Sequence, residues 1–162
     1  MKTLLAVLLF ALSPTLFAAE ITTQNVIREM NKYRLAHHLP PLREDPRLRE
    51  AAGDRMRDME EMAYWSHVSP DGRAPFVWMK QRGYEFQFAG ENLASGFETA
   101  EVLVESWMES EGHRANILSP SYQECGLSII EGATTGRATG HSIVVLFGRL
   151  LLDPRATQTA VK

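Results

Sequence analysis

With 162 residues, the chain is long enough for one domain of ordinary size and too short for two domains that each bury a core. Its formal net charge at pH 7 is -3, which gives no basic surface for nucleic acid, so a nucleic-acid partner is excluded. Cys125 is the only cysteine. A disulfide framework within the chain is therefore excluded, and the hydrophobic core must stabilise the fold.

The first nineteen residues show the order of features that is typical of an export signal. Lys2 precedes an apolar run from Leu4 to Leu12, and the small residues Ala18 and Ala19 follow. A helix that spans a bilayer requires about 20 apolar residues. This run is shorter, and no later stretch approaches that length. We therefore predict a signal peptide over residues 1–19, no transmembrane span, and a protein that is periplasmic or secreted.

The first half of the chain shows the spacing of apolar residues that is typical of helices. Thr22 or Thr23 can cap a helix that ends near His37. Two consecutive prolines then predict a loop, because proline lacks a backbone donor and restricts the residue before it. A second helix is predicted from Pro46, with Asp45 as its N-cap, and its methionines are expected in the core.

A turn-rich loop over Ser66–Gly72 precedes a short predicted helix that begins near Ala74 and ends at Gly83. A long loop is predicted after this helix, because the next segment shows neither helical spacing nor a clean alternation. Thr99 can then cap a further helix, which is expected to stop near Gly112.

Two stretches rich in Ile, Val and Leu, Gly126–Ile130 and His141–Leu151, predict antiparallel strands joined by a glycine-containing loop. Because helices come first and strands cluster late, the predicted fold class is α+β, with a small antiparallel sheet flanked by helices. We expect one domain over residues 20–152 and a C-terminal tail over residues 153–162.

Five short segments follow one another in a particular order. They are Asn31–Arg34, Leu48–Ala52, Ser66–His67, Gly90–Ala94 and Trp107–Leu118. In this order they resemble the bacterial branch of the CAP superfamily, which comprises the cysteine-rich secretory, antigen 5 and pathogenesis-related 1 proteins. The most specific parts are Gly-Glu-Asn-Leu-Ala and Gly-His-Arg-Ala-Asn-Ile-Leu, and the resemblance spans about residues 25–149.

The resemblance implies a three-layer α-β-α sandwich with a cleft that holds two histidines and two glutamates, which bind a divalent metal in some members. His67 matches the first family histidine, and Glu91 matches the glutamate of the Gly-Glu-Asn motif. The second family histidine begins a late strand six residues before an aromatic residue. His141 precedes Phe147 by that spacing and is therefore expected in the cleft.

The second family glutamate is missing, because Ser110 stands at its position three residues after Trp107. His113 lies three residues beyond Ser110 and can project from the same helix face. A site of His67, His113, His141 and Glu91 would suit zinc or another divalent metal. The open alternative is that His113 and Arg114 cap the end of the helix, where cations are favourable.

The first functional hypothesis is a monomeric, non-catalytic binding module that holds a metal, a small apolar ligand such as a lipid, or a cell-envelope partner in its cleft. The alternative is a metal-assisted hydrolase or protease in which Glu91 acts as general base. No independently recognised catalytic motif supports the alternative. A structural cell-envelope protein is a third possibility, although the chain has no repeats that would favour it.

Overall fold

The computed structural model describes residues 20–132 and 139–151. The predicted signal peptide, the predicted tail and the middle of the loop before His141 lie outside these residues. The described residues contain five helices and four strands, which confirms the α+β class. In chain order they are α1 (Thr23–Ala36), β1 (Arg43–Glu44), α2 (Pro46–Glu61), α3 (Phe76–Gln81), β2 (Phe86–Phe97), α4 (Ala100–Glu109), α5 (Glu111–Ile117), β3 (Glu124–Glu131) and β4 (His141–Leu150).

The four strands form one sheet in the order β1-β3-β4-β2. The two predicted late strands, β3 and β4, pair antiparallel, and β4 pairs antiparallel with β2 on its other side. β1 is the exception, because it runs parallel to β3 through the pairs of Arg43 with Glu124 and Glu44 with Cys125. The predicted small antiparallel sheet is confirmed for β2, β3 and β4, and β1 adds a short parallel edge strand that was not predicted.

The central strand β4 divides the core into two layers because successive side chains of a strand point to opposite faces. Ile143, Val145 and Phe147 are fully buried in a cluster with residues of α1, α4 and α5. Val144 and Leu146 are fully buried in a second cluster with residues of α2 and α3. Helices therefore cover both faces of the sheet, which confirms the three-layer α-β-α sandwich.

Three of the described helices, α1, α2 and α4, begin where their N-cap residues predict. The Thr22 side chain accepts a hydrogen bond from the Asn25 amide, and Asp45 accepts one of 2.8 Å from the Arg47 amide. Thr99 caps α4 in the same way. Each cap satisfies backbone donors that have no partner within the helix, so these boundaries are set locally by the sequence.

β2 lies where the sequence predicted a long loop. The five residues Gly90–Ala94 are consecutively buried, because α3 contacts the strand together with α4 and α5. A strand covered on both faces does not show the alternation of polar and apolar residues that marks a half-exposed strand. Glu91 and Asn92 lie inside this run. Because both residues are polar, the sequence pattern did not predict a buried strand here.

The helix predicted to stop near Gly112 is two helices. α4 ends at Glu109, Ser110 has extended backbone, and α5 begins at Glu111. The break turns the chain, so α5 packs against both α4 and β2. His113 therefore lies on a separate helix that approaches the sheet.

Two glycines give a matched test of the packing between α2 and β3. A Cβ atom added at Gly126 would lie 2.1 Å from the Arg49 backbone nitrogen, whereas one added at Gly53 would meet nothing within 4 Å. We predict that Gly126→Ala lowers the free energy of unfolding by about 3 kcal/mol, because backbone must move. Gly53→Ala should raise it by about 0.5–1 kcal/mol through helix propensity. Urea denaturation measures both, and equal midpoints would contradict this packing.

Candidate functional site

The centre of the site is an ion pair between α2 and β2. The Arg55 Nε donates to Oε2 of Glu91 at 3.0 Å, and the two side chains are 0% and 1% exposed. Arg55 was not singled out from the sequence, although a signal was present. It lies four residues after Ala51 and four before Met59, on the stripe of α2 that is buried.

Each nitrogen of the Arg55 guanidinium has an acceptor. Nη1 donates to the Tyr64 hydroxyl, and Nη2 donates to the backbone oxygen of Ser66. The guanidinium carbon also lies 5.3 Å from the ring centroid of Tyr64 and 4.8 Å from that of Trp78. A buried cation is tolerated only when it is paired and hydrogen-bonded, and these contacts meet that requirement.

The other oxygen of Glu91 holds His67. Nδ1 of His67 lies 2.7 Å from Oε1 of Glu91, while 57% of the histidine side chain is exposed. Because an ionised carboxylate only accepts hydrogen bonds, Nδ1 carries the hydrogen and Nε2 remains available. This hydrogen bond raises the pKa of His67, although partial burial of the ring opposes the shift.

His67 lies in an open cleft of about 480 Å³. Its lining combines apolar side chains from the segment before α3 and the start of that helix with polar side chains from β2, α5 and Tyr122. Its lining residues are His67, Val68, Ala74, Pro75, Phe76, Ala89, Gly90, Glu91, Asn116 and Tyr122. Val68 is 53% exposed here, so the cleft presents apolar surface directly to solvent.

Side chains fasten β2 through three alternate backbone oxygens. The pairs are Tyr122 Oη to Ala89 at 3.0 Å, Asn116 Nδ2 to Glu91 at 3.1 Å and Trp107 Nε1 to Leu93 at 3.4 Å. β2 is an edge strand, and such strands need their outer hydrogen-bonding groups covered. Glycine is required at position 90, because a Cβ there would lie 2.5 Å from the Tyr122 hydroxyl oxygen.

The two most specific sequence motifs contact each other directly. The Asn92 amide nitrogen donates to the backbone oxygen of His113 at 3.2 Å. The Asn116 amide nitrogen donates to Oδ1 of Asn92 at 2.8 Å. The Gly-Glu-Asn segment of β2 and the Gly-His-Arg-Ala-Asn segment of α5 therefore form one hydrogen-bonded unit that holds Glu91 in place.

His113 is near enough to His67 for the two rings to interact electrostatically, but it is not among the residues that line the cleft. Partial burial lowers the pKa of His113, and the nearby charge of His67 lowers it further. The His113 ring also lies 6.3 Å from the Trp107 ring, measured between centroids. The neighbouring Arg114 has a capping role, because its Nη1 donates to the backbone oxygen of Met108 in the last turn of α4.

The structure does not bring His141 to this cleft. His141 is paired with Phe97, whereas Glu91 is paired with Leu146, five residues further along β4. At about 3.3 Å per residue, these two positions are roughly 16 Å apart along the strand. The predicted convergence is therefore wrong for His141, which lines a separate surface cleft with Arg49. A six-residue spacing within the strand carries no information about the sheet register.

A family model described as the cysteine-rich secretory protein family, CAP, matches residues 27–147. The match covers well over half of the chain and includes both motifs of the cleft. The chain belongs to the CAP family. The resemblance identified from the five sequence segments is thereby confirmed.

Two relatives of this CAP chain come from Bacillus subtilis strain 168. It is 38% identical over 111 residues to the uncharacterized protein YkwD, covering 68% of this chain and 43% of YkwD. It is 32% identical over 111 residues to the uncharacterized membrane protein YlbC, covering 68% of this chain and 32% of YlbC. The matched region thus spans less than half the length of either relative.

A solved structure with the same fold is an extracellular protein from Bacillus anthracis strain Ames that contains an SCP domain. Its TM-score is 0.66 and its sequence is 27% identical, over 78% of this chain and 39% of that chain. Within residues 20–132 and 139–151, no helix of this CAP chain is both long and apolar enough to cross a membrane.

The CAP family implies a metal site, and the donor set of this chain does not fit one. Both oxygens of Glu91 already accept hydrogen bonds, Oε2 from Arg55 and Oε1 from His67, so a metal ion on either oxygen would share it with one of these donors. Ser110 replaces the second family glutamate, and His141 lies at the far end of β4. Across the part of the chain that the structure describes, no group of three or more His, Cys, Asp or Glu side chains is arranged to hold a metal ion.

The pKa values of His67 and His113 should be shifted in opposite directions from the ordinary value of about 6.5. Glu91 favours the protonated ring of His67, so their bond stabilises the fold at low pH. That stabilisation is lost as pH rises through the pKa of His67. Ring resonances followed by NMR should give a higher pKa for His67 than for His113.

Glu91→Gln should lower the pKa of His67 because it removes the carboxylate charge. Glu60→Gln, at an exposed position of α2, is the control and should leave it unchanged. A His67 pKa that stays raised in Glu91→Gln would contradict this assignment of the cause.

Proposed function

We propose that this chain is an exported CAP domain that binds a small ligand, without catalysis, in the cleft beside His67. The observation that supports the proposal is the composition of the cleft. The cleft combines an exposed imidazole, whose Nε2 is not used by Glu91, with apolar side chains and further hydrogen-bonding groups. Ligand sites commonly combine an apolar lining with a few fixed polar groups that orient the ligand.

The apolar wall comes from the loop before α3 and from the start of that helix. Val68, Pro75 and Phe76 line it, and the Phe76 ring packs against Phe86 at 5.8 Å between centroids. This contact fixes the wall in place before a ligand arrives. A preformed apolar surface of this kind suits a ligand with an apolar body, since little ordering is required on binding.

The polar wall comes from residues that also hold β2. The hydroxyl of Tyr122 and the amide of Asn116 face the cleft while they bond to backbone oxygens. His67 is the most exposed of the polar groups in this wall. A ligand that places a hydrogen-bonding group at Nε2 and an apolar body against Phe76 matches both walls.

Glu91 is poorly placed for the alternative role of general base. A general base must reach the proton that it removes, directly or through one water molecule. The Glu91 side chain is 1% exposed, and its two oxygens already accept hydrogen bonds from Arg55 and His67. This geometry favours binding over the hydrolase that the sequence left open.

The proposed location is the periplasm or the outside of the cell. The order of residues in positions 1–19 supports export, and the related SCP-domain protein from Bacillus anthracis is described as extracellular. A cleft presented by loops on a rigid sheet is also a common arrangement for recognition outside the cell.

A fragment library screened by NMR tests the proposal. We predict that bound fragments shift the backbone amides of Val68, Gly90 and Asn116, because these residues line the cleft. Val68→Ser should weaken the best fragments by about tenfold, which corresponds to the roughly 1.4 kcal/mol expected for loss of an apolar contact.

Val102→Ser is the matched control for this screen. Val102 is 55% exposed, as against 53% for Val68, and it lies on α4 away from the cleft. Its substitution should leave fragment affinity unchanged. Fragments that gather elsewhere on the surface, or that respond equally to both substitutions, would overturn the assignment of the cleft as the binding site.

A further inference from the structure

We infer that Arg55 takes the place of a metal ion as the cation that neutralises Glu91, so that this CAP cleft excludes zinc and orients His67 without a metal. The inference concerns which cations the cleft accepts. It therefore stands apart from the proposed function, because it holds whether or not the cleft binds an organic ligand.

The first argument is that each oxygen of Glu91 already accepts a hydrogen bond. Oε2 accepts from Arg55 at 3.0 Å, and Oε1 accepts from His67 at 2.7 Å. Zinc bonds to carboxylate oxygens at about 2.0–2.2 Å, so an ion on either oxygen would compete with one of these two donors. Nδ1 of His67 is likewise occupied by Glu91.

The second argument is that Arg55 cannot easily withdraw. Its side chain is 0% exposed, its Nη atoms bond to Tyr64 and Ser66, and its guanidinium lies between the rings of Tyr64 and Trp78. If zinc displaced Arg55 from Glu91, a buried guanidinium would lose its hydrogen-bonded counter-charge and keep only the longer contact of 4.0 Å with Asp58. If Arg55 stayed, a divalent cation would lie beside a fixed positive charge.

The third argument is that the neighbouring carboxylate is also compensated. Asp58 lies 4.0 Å from Nη1 of Arg55, and its other oxygen accepts from Nη2 of Arg73 at 2.7 Å. Each carboxylate around Arg55 thus has a guanidinium partner. The electrostatic environment that attracts a divalent cation, an excess of uncompensated carboxylates, is missing around this pair.

A consequence for His67 follows from the same contacts. Because Oε1 of Glu91 accepts the hydrogen bond from Nδ1, the hydrogen of the neutral His67 ring lies on Nδ1 and Nε2 has a free lone pair. In metal sites the second-shell partner of a histidine fixes its tautomer in this way. Here the Arg55–Glu91 pair fixes the tautomer while Nε2 faces the cleft.

Zinc titration combined with ¹⁵N NMR of the imidazole rings tests the inference. The chain is first stripped of metal with EDTA and then titrated with zinc chloride at pH 7.5. We expect equimolar zinc to leave the His67 nitrogens unshifted, and the neutral form of the ring to carry its hydrogen on Nδ1. The inference would be overturned if one equivalent of zinc bound to wild type and shifted these nitrogens, and if this zinc binding were lost in His67→Ala.

Two arginine variants of α2 test the part played by Arg55. Arg55→Met removes the cation and keeps an apolar stem, whereas Arg57→Met changes an arginine that is 62% exposed. Arg55→Met should bind zinc at least tenfold more tightly than wild type and should lose this gain when His67→Ala is added. Arg57→Met should behave as wild type does.

A folded Arg55→Met variant with the zinc response of wild type would overturn the role of Arg55. If circular dichroism shows that Arg55→Met does not fold, the wild-type and His67→Ala titrations decide whether the cleft takes zinc. The ¹⁵N shifts of the His67 ring in wild type then test the predicted tautomer. A neutral His67 ring protonated at Nε2 would overturn the inference that Glu91 orients this histidine.

Discussion

Arg55 and Glu91 form an ion pair that is almost completely withdrawn from water. Charges of this kind are costly to bury. Their mutual attraction offsets that cost only while the pair keeps its geometry and its remaining hydrogen bonds. Arg55 comes from α2 and Glu91 from β2, so the pair fixes how one helix layer sits against the sheet. It also determines where His67 lies, because Oε1 of Glu91, the oxygen that Arg55 does not bond, accepts a hydrogen bond from Nδ1 of His67.

The remaining features of the cleft keep β2 in the position that this pair requires. Asn116 and Tyr122 bond to backbone oxygens on either side of Gly90, and Asn92 connects β2 to α5. The residues that make the CAP motifs recognisable therefore have clear structural tasks. Their side chains complete the edge of a sheet, and the same side chains form the polar wall of the cleft.

Features set by local interactions could be predicted from the sequence, whereas those set by tertiary pairing could not. Asp45 was recognised as a cap because its partners are two and three residues away. Arg55 was missed because helical arginines are usually solvated, although its place on the apolar stripe of α2 distinguishes it from Arg57. The family motifs correctly joined His67 to Glu91, but spacing alone misplaced His141, since the register of β4 decides which residues lie beside Glu91.

The most direct test of this account is a double-mutant cycle on the buried pair, measured by urea denaturation of Arg55→Met, Glu91→Gln and the double variant. Each single substitution leaves a buried group without its charged partner and should cost about 3 kcal/mol or more. The double variant should cost less than the two singles together, by at least about 1 kcal/mol. Strictly additive losses would contradict the claim that the rest of the cleft depends on this ion pair.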